Sequence, residues 1–391
     1  MEFTMSINPN NHTGDEKRKR VLTTLNRQEP DRIPIGEWFW GTFLTRCRRD
    51  FQQEPNFDPY RYFDLDLVVI NPNMDPHIQQ FQVLEETPDH ITVKTGWECT
   101  VKKLFAYPMP VYVDFDTKTV EDIEKFIFDD PADPRRYQMD GDDMINGVGD
   151  GFYRNLPAFV KRVKQYDEDF CVFGSVCEPF ETLWRIMGSN NVLMKLVDAP
   201  DVMRQFVRRI GDFMLKIGIT QIKEAGGRLS GLYMWGDVAY RNGMLFSPKL
   251  WREMFLPEIQ RMCAVFHDMG MKIIYHGCGN ASEIYNDLIA AGIDAYNPLE
   301  AKAGLDVVDL KKQYGSRWAF NGNIDVRILE SNDREQIKHE VLRKLHAGKG
   351  GGYIFQSDHS VSGDVAPESY KYAIDLVKKY GTYPLMIPEN I

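Results

Sequence analysis

His276 and Cys278 stand two residues apart in the run KIIYHGCGN. A neutral imidazole nitrogen and a thiolate are both good ligands for a borderline-soft cation such as zinc. At the end of an extended segment, residues i and i+2 point to the same side. The pair therefore fits half of a zinc site, with glycines at 277 and 279 to let the chain bend around it. A buried structural pair fits the same two residues. A third ligand would separate these readings. No cysteine follows Cys278, so a ligand from later in the chain has to be His, Asp or Glu. His359 is the best placed, and Asp237 and Glu178 come next. His267, His339 and His346 fall within helical patterns and read as surface residues. A site of one Cys, one His and a third protein ligand leaves a position open for water or substrate.

Other side chains are suited to different tasks. Asp237 closes the apolar run in MWGD and suits a general acid or base, a partner holding a His proton, or a turn cap. Glu178, in VCEPFETLW, suits proton handling or a solvated loop. Asn321, Asn323 and Asp325 in FNGNID carry short polar side chains that bind a ligand or tie their own loop. Trp38 and Trp235, with Phe39 and Trp40, suit the wall of a ligand pocket or plain packing.

Most of these residues follow a short apolar run. There are eight such runs, at 33–36, 65–70, 170–175, 231–236, 272–276, 295–299, 318–321 and 352–355. Continuous apolar runs suit strands buried on both faces. Helical segments separate most of them. One opens at Ser247-Pro248 and closes at Gly270. Another follows Asn280, a third follows Asn332-Asp333, and the last opens at Pro367. Alternating strands and helices predict a parallel sheet, and eight units predict a single (β/α)8 TIM barrel over residues 16–391. Barrel active sites lie at the carboxyl ends of the strands, where the residues above converge. Residues 71–118 read as a β-rich insertion after the second strand, 129–153 as loop, and 1–15 as a disordered tail. The competing arrangement is a two-domain α/β protein divided near residue 150.

Composition narrows the function. Basic residues number 47 against 57 acidic ones, a net charge of −10, which argues against a duplex nucleic-acid binder. Hydrophobic types make up 43%, too many for a disordered chain. No stretch approaches the roughly 18 apolar residues of a membrane span. The polar start lacks the core of an export signal, and six scattered cysteines form no disulfide framework, so a cytoplasmic protein is expected. The phosphate-binding glycine motifs, the GxSxG elbow and a CxxC pair are missing.

Five segments in order carry a more specific signal: RVLTTLNRQEPDRIPI, MWGDVAYRNGMLFSPKLWREMFLPEI, KIIYHGCGNASEIYNDLIAAGIDAYNPLE, WAFNGNID and GGYIFQSDHSVSGDVAPESY. Together they resemble the uroporphyrinogen decarboxylase superfamily, over most of residues 17–385 and least over 71–155. That group includes tetrapyrrole decarboxylases and zinc-dependent, corrinoid-linked methyltransferases such as methylcobalamin:coenzyme M methyltransferase. The resemblance implies a single (β/α)8 barrel. True uroporphyrinogen decarboxylases carry an Arg-Gln-Ala-Gly-Arg-Tyr segment that binds substrate carboxylates. Here that place reads GEWFWGTF, with no arginine until Arg46. The zinc methyltransferases use His-x-Cys after the fifth strand and a Cys after the eighth. His276 and Cys278 match the first two, and His359 stands at the third place.

The expectation is therefore a zinc-dependent methyltransferase. It would move a methyl group between a small methylated substrate or thiol and a corrinoid (methylcobamide), either as a free cofactor or on a partner protein. A homodimer is expected by analogy. Two alternatives stand beside it: a metal-free decarboxylase or lyase in which Asp237 or Glu178 handles protons, and a non-catalytic barrel that binds a tetrapyrrole or corrinoid.

Overall fold

The computed structural model describes residues 14–54, 56–107, 109–143 and 153–388. Seven strands form one parallel sheet in chain order: Leu67–Val69, Cys171–Cys177, Gly231–Trp235, Lys272–His276, Ala295–Asn297, Ala319–Asn321 and Tyr353–Ile354. All of Cys171–Cys177 is buried, which is why its sequence is continuously apolar rather than alternating. The run at 33–36, expected as a full first strand, is shorter. Ile35 bridges Phe355 and Gly36 bridges Leu67, both in parallel sense. Pro34 accepts a bond from the Phe355 N–H but has no N–H to extend the ladder. This short segment thus joins the two edge strands of the sheet. Leu67–Val69 pairs with Cys171–Cys177, so the sheet runs across residue 150.

Two cores result. Leu67, Phe173, Tyr233, Ile274, Ala295, Ala319 and Ile354 pack together within the curled sheet, with Trp38 and Trp235 packed against them. A larger core lies between sheet and helices. Side chains two apart share a face. Because Tyr233 and Ile274 face inward, Trp235 and His276 also face inward at their strand ends. The register pairs His276 with Trp235 on one side and Asn297 on the other.

Between the first two sheet strands in sequence, Gln82–Glu86, His90–Lys94, Cys99–Leu104 and Val111–Phe115 form a four-stranded antiparallel sheet. Part of the expected loop at 129–153 is ordered: a helix, Arg135–Gln138, precedes Gly141–Asp143, which pairs with Tyr153–Leu156. The Asp- and Gly-rich composition there concealed both. The helix expected from Ser247 to Gly270 is two helices, Pro248–Met254 and Leu256–Asp268. Pro257 lacks the N–H that would continue the first helix. The Ser247 hydroxyl accepts the Leu250 N–H at 3.2 Å, as its capping role requires. Residues 14 and 15, placed in the expected tail, begin the helix Gly14–Leu25; 1–13 lie outside the described residues. No described helix is long and apolar enough to cross a membrane.

Candidate metal centre

Two neighbouring strands bring three donors together. Trp235 ends one strand and His276 ends the next, and the chain after each turns over the sheet's inner core. His276 Nε2 lies 3.7 Å from Cys278 Sγ and 4.0 Å from Asp237 Oδ1. The three ligating atoms all fall within 4.8 Å of one another. Tetrahedral zinc at ordinary bond lengths separates nitrogen and sulfur by about 3.6 Å, and nitrogen and oxygen by about 3.4 Å. The donor set fits a zinc ion with only small side-chain adjustment.

Asn297 fixes which imidazole nitrogen is available. Its Nδ2 donates to the Asn321 carbonyl at 3.0 Å, so its Oδ1 faces His276 Nδ1 at 2.6 Å. An amide oxygen only accepts, so Nδ1 carries the proton and Nε2 keeps its lone pair. That lone pair is the one directed toward Cys278 and Asp237. The Cys278 N–H donates to Asp237 Oδ1 at 2.8 Å, tying the two loops together. Gly279 has φ +77°, and a Cβ there would meet the Tyr240 carbonyl oxygen at 2.6 Å, so the turn past Cys278 requires glycine. Burial pushes the Cys278 thiol well above its ordinary range, and Asp237 and Glu300 add to this. A bound cation would act in the opposite direction.

Glu178 caps the helix Pro179–Met187. It is fully buried, and its Oε1 accepts the Glu181 N–H at 2.8 Å. Its Oε2 has no partner. Burial raises this carboxyl to about 8, with Glu181 and Asp237 contributing, so near pH 7 it is a neutral proton donor beside the centre.

His359 is outside the cluster. Its ring lies 5.9 Å from Trp40; burial, then Lys302, lowers its pKa. Asp237, ranked behind it from sequence, supplies the third nearby donor. Trp38 and Trp235 are half-buried, 5.4 Å apart, and Trp235 packs 4.9 Å from His276. Asn321 is buried, donates to the Tyr233 hydroxyl at 2.5 Å, and leaves Oδ1 without a partner. Asn323 ties down the neighbouring loop after Ala295–Asn297, accepting the Val307 N–H and donating to the Leu299 and Leu305 carbonyls, whereas Asp325 caps Val326–Glu330. Sequence reasoning missed Asn297 and Glu37 as site residues. The usable signal was their position at the ends of inward-facing runs.

Glu37 lies 4% exposed, accepting the Ser357 hydroxyl at 2.6 Å and the Trp38 N–H at 3.0 Å. Burial lifts it from the ordinary range near 4.5 to about 8. The folded chain therefore holds a proton that the unfolded chain has released, and stability falls as pH rises across that interval. Denaturant unfolding from pH 5 to 9 should give a shallower decline for Glu37→Gln than for the parent. Parallel curves would refute this.

Residues 104–380 match the family model described as Uroporphyrinogen decarboxylase (URO-D). The chain belongs to that family. Uroporphyrinogen decarboxylase from Psychromonas ingrahamii is 22% identical, covering 92% of this chain and 96% of its own length. The enzyme of that name from Xanthomonas oryzae pv. oryzae is also 22% identical, covering 93% and 98%. Among solved structures, a methyltransferase from Methanosarcina mazei superposes with TM-score 0.66 at 14% identity, over 93% of this chain and 98% of its own. At that identity the match to the methyltransferase concerns the fold. The matches thus give the family and the fold, and the reaction has to be argued from the site.

Proposed function

We propose that this URO-D family member is a zinc-dependent methyltransferase. It moves a methyl group between a small methylated substrate or thiol and a corrinoid, free or carried by a partner protein. The observation that carries the reading is the convergence of one nitrogen, one sulfur and one carboxylate oxygen, with the nitrogen's lone pair freed by Asn297. His276, Cys278 and Asp237 would hold the ion. When bound, zinc supplies Lewis acidity that favours the deprotonated form of a substrate heteroatom.

The chain's own residues do the rest. Asn297 orients the imidazole. Trp38 and Trp235 give an apolar floor that excludes water and packs against a methyl-bearing group. Glu178, neutral near pH 7 with Oε2 unpartnered, is placed to donate its proton to a substrate heteroatom that leaves as an anion. In this reading the barrel is one domain over 16–391 with its insertion at 71–118, works in the cytoplasm, and is a homodimer.

A second reading, a metal-free decarboxylase, has one observation in its favour. Glu178 is a neutral buried acid, suited to protonating a carbanion. Elemental analysis separates the two. The methyltransferase reading expects close to one zinc per chain and chelator-sensitive demethylation of methylcobalamin in the presence of a thiol. No zinc after challenge with excess metal overturns it and leaves the decarboxylase.

A further inference from the structure

Glu181 and Arg185 stand four apart on the helix Pro179–Met187, which places their side chains on one face, and Glu178 caps that helix. Glu181 is nearly inaccessible, at 3%. One of its oxygens, Oε1, accepts Arg185 Nε at 2.9 Å and Nη2 at 2.6 Å. The other, Oε2, accepts Trp184 Nε1 at 2.8 Å and the Asp237 backbone N–H at 3.2 Å. Asp237 in turn accepts the Cys278 N–H. On the far side, Arg185 Nη1 donates to the Tyr112 hydroxyl at 2.9 Å. Tyr112 belongs to Val111–Phe115, an edge strand of the antiparallel sheet. The Arg185 guanidinium also lies over the Trp184 ring at 4.6 Å and the Trp97 ring at 5.6 Å.

We propose that Glu181 is a positioning residue for the metal centre, and that the chain Tyr112–Arg185–Glu181–Asp237 makes the centre's affinity depend on the antiparallel sheet. This rests on the zinc reading above. The argument is geometric. Asp237 sits in a turn after Trp235, and a turn residue holds a ligand only as well as its backbone is held. The Glu181 carboxylate grips that backbone. Arg185 fixes the carboxylate through two of its nitrogens and makes it cheaper to bury beside two other acids, Glu178 and Asp237. The Tyr112 hydroxyl sets the outer end of the guanidinium. Val111 and Val113, on either side of Tyr112, are 55% and 56% exposed. Any contact that shifts this edge strand therefore pulls on the Asp237 arm.

The test uses the full chain. Zinc affinity is measured by competition with a chromogenic chelator, beside the cobalt(II) absorption spectrum and the thermal midpoint of the metal-free protein. Glu181→Gln should weaken zinc binding about tenfold or more and shift the cobalt spectrum. Tyr112→Phe removes one hydroxyl distant from the donors and should weaken binding about threefold with the metal-free midpoint unchanged. Should Glu181→Gln fail to fold, Tyr112→Phe still decides. Parental affinity in the variants, or a lowered midpoint without an affinity change, overturns the proposal while the zinc reading stands. A parent that binds no zinc overturns both.

Discussion

Cys278→Ser and Asp237→Asn are each expected to weaken zinc binding by roughly 10²–10³-fold, and His359→Ala to leave it within about twofold. The magnitude follows from structural zinc sites, whose binding of roughly 10–16 kcal/mol is spread over four ligands at about 2.5–4 kcal/mol each. The contrast follows from geometry. Cys278 Sγ and the Asp237 carboxylate lie in the cluster with His276 Nε2, whereas the His359 ring sits against Trp40. Zinc affinity by chelator competition checks all three variants. Loss of binding in His359→Ala, with retention in Asp237→Asn, would restore the assignment the sequence first suggests.

The difference between those assignments marks how far the sequence could be read. His276 and Cys278 were legible because their relation is local: two residues apart at a strand end puts both on one side. Their partners are not local. Asn297 lies 21 residues beyond His276 and Asp237 lies 41 before Cys278, and each meets the site through strand register. Composition and periodicity carry no register. His359 ranks first in the sequence because it follows the last apolar run, at the same mouth of the expected barrel, and that reasoning puts Asp237 behind it. The eight apolar runs were legible because strands buried on both faces are written as continuous hydrophobic stretches. Pro34 was visible, but only the structure reveals that its run becomes two bridges. Glu181 was invisible as a site residue, since it acts on a backbone N–H that any residue at 237 would present.

The RVLTTLNRQEPDRIPI segment was recognisable by resemblance, yet its physical role depends on Asp66, well outside it. Asp66 is fully buried. Its Oδ1 accepts Arg20 Nη1 at 2.6 Å and Arg32 Nη2 at 3.0 Å; its Oδ2 accepts Arg32 Nη1 and the Ile35 N–H, both at 2.7 Å. One carboxylate thus ties the first helix and the segment that joins the sheet's edge strands. Asp66→Ala should destabilise the fold by about 3–5 kcal/mol, because it leaves Arg32 buried without its counter-charge and Arg20 with Asp31 as its remaining carboxylate. Denaturant unfolding measures this, and a loss below about 1 kcal/mol, the size of an exposed ion pair, would refute it. Acid should act in the same direction. Burial opposes ionisation of Asp66, but Arg32, Arg20, Lys17 and the Ile35 N–H together hold its pKa below the ordinary value near 3.8. A carboxyl depressed in the folded state stabilises fully above its unfolded pKa and loses that contribution as pH falls through the folded one. The parent should therefore lose stability below about pH 4. Asp66→Asn should flatten that loss, since the amide has no proton to gain. Replacing Asp66, Arg20 and Arg32 together with apolar residues of similar volume should recover most of the stability, because no buried charge is then left unpaired.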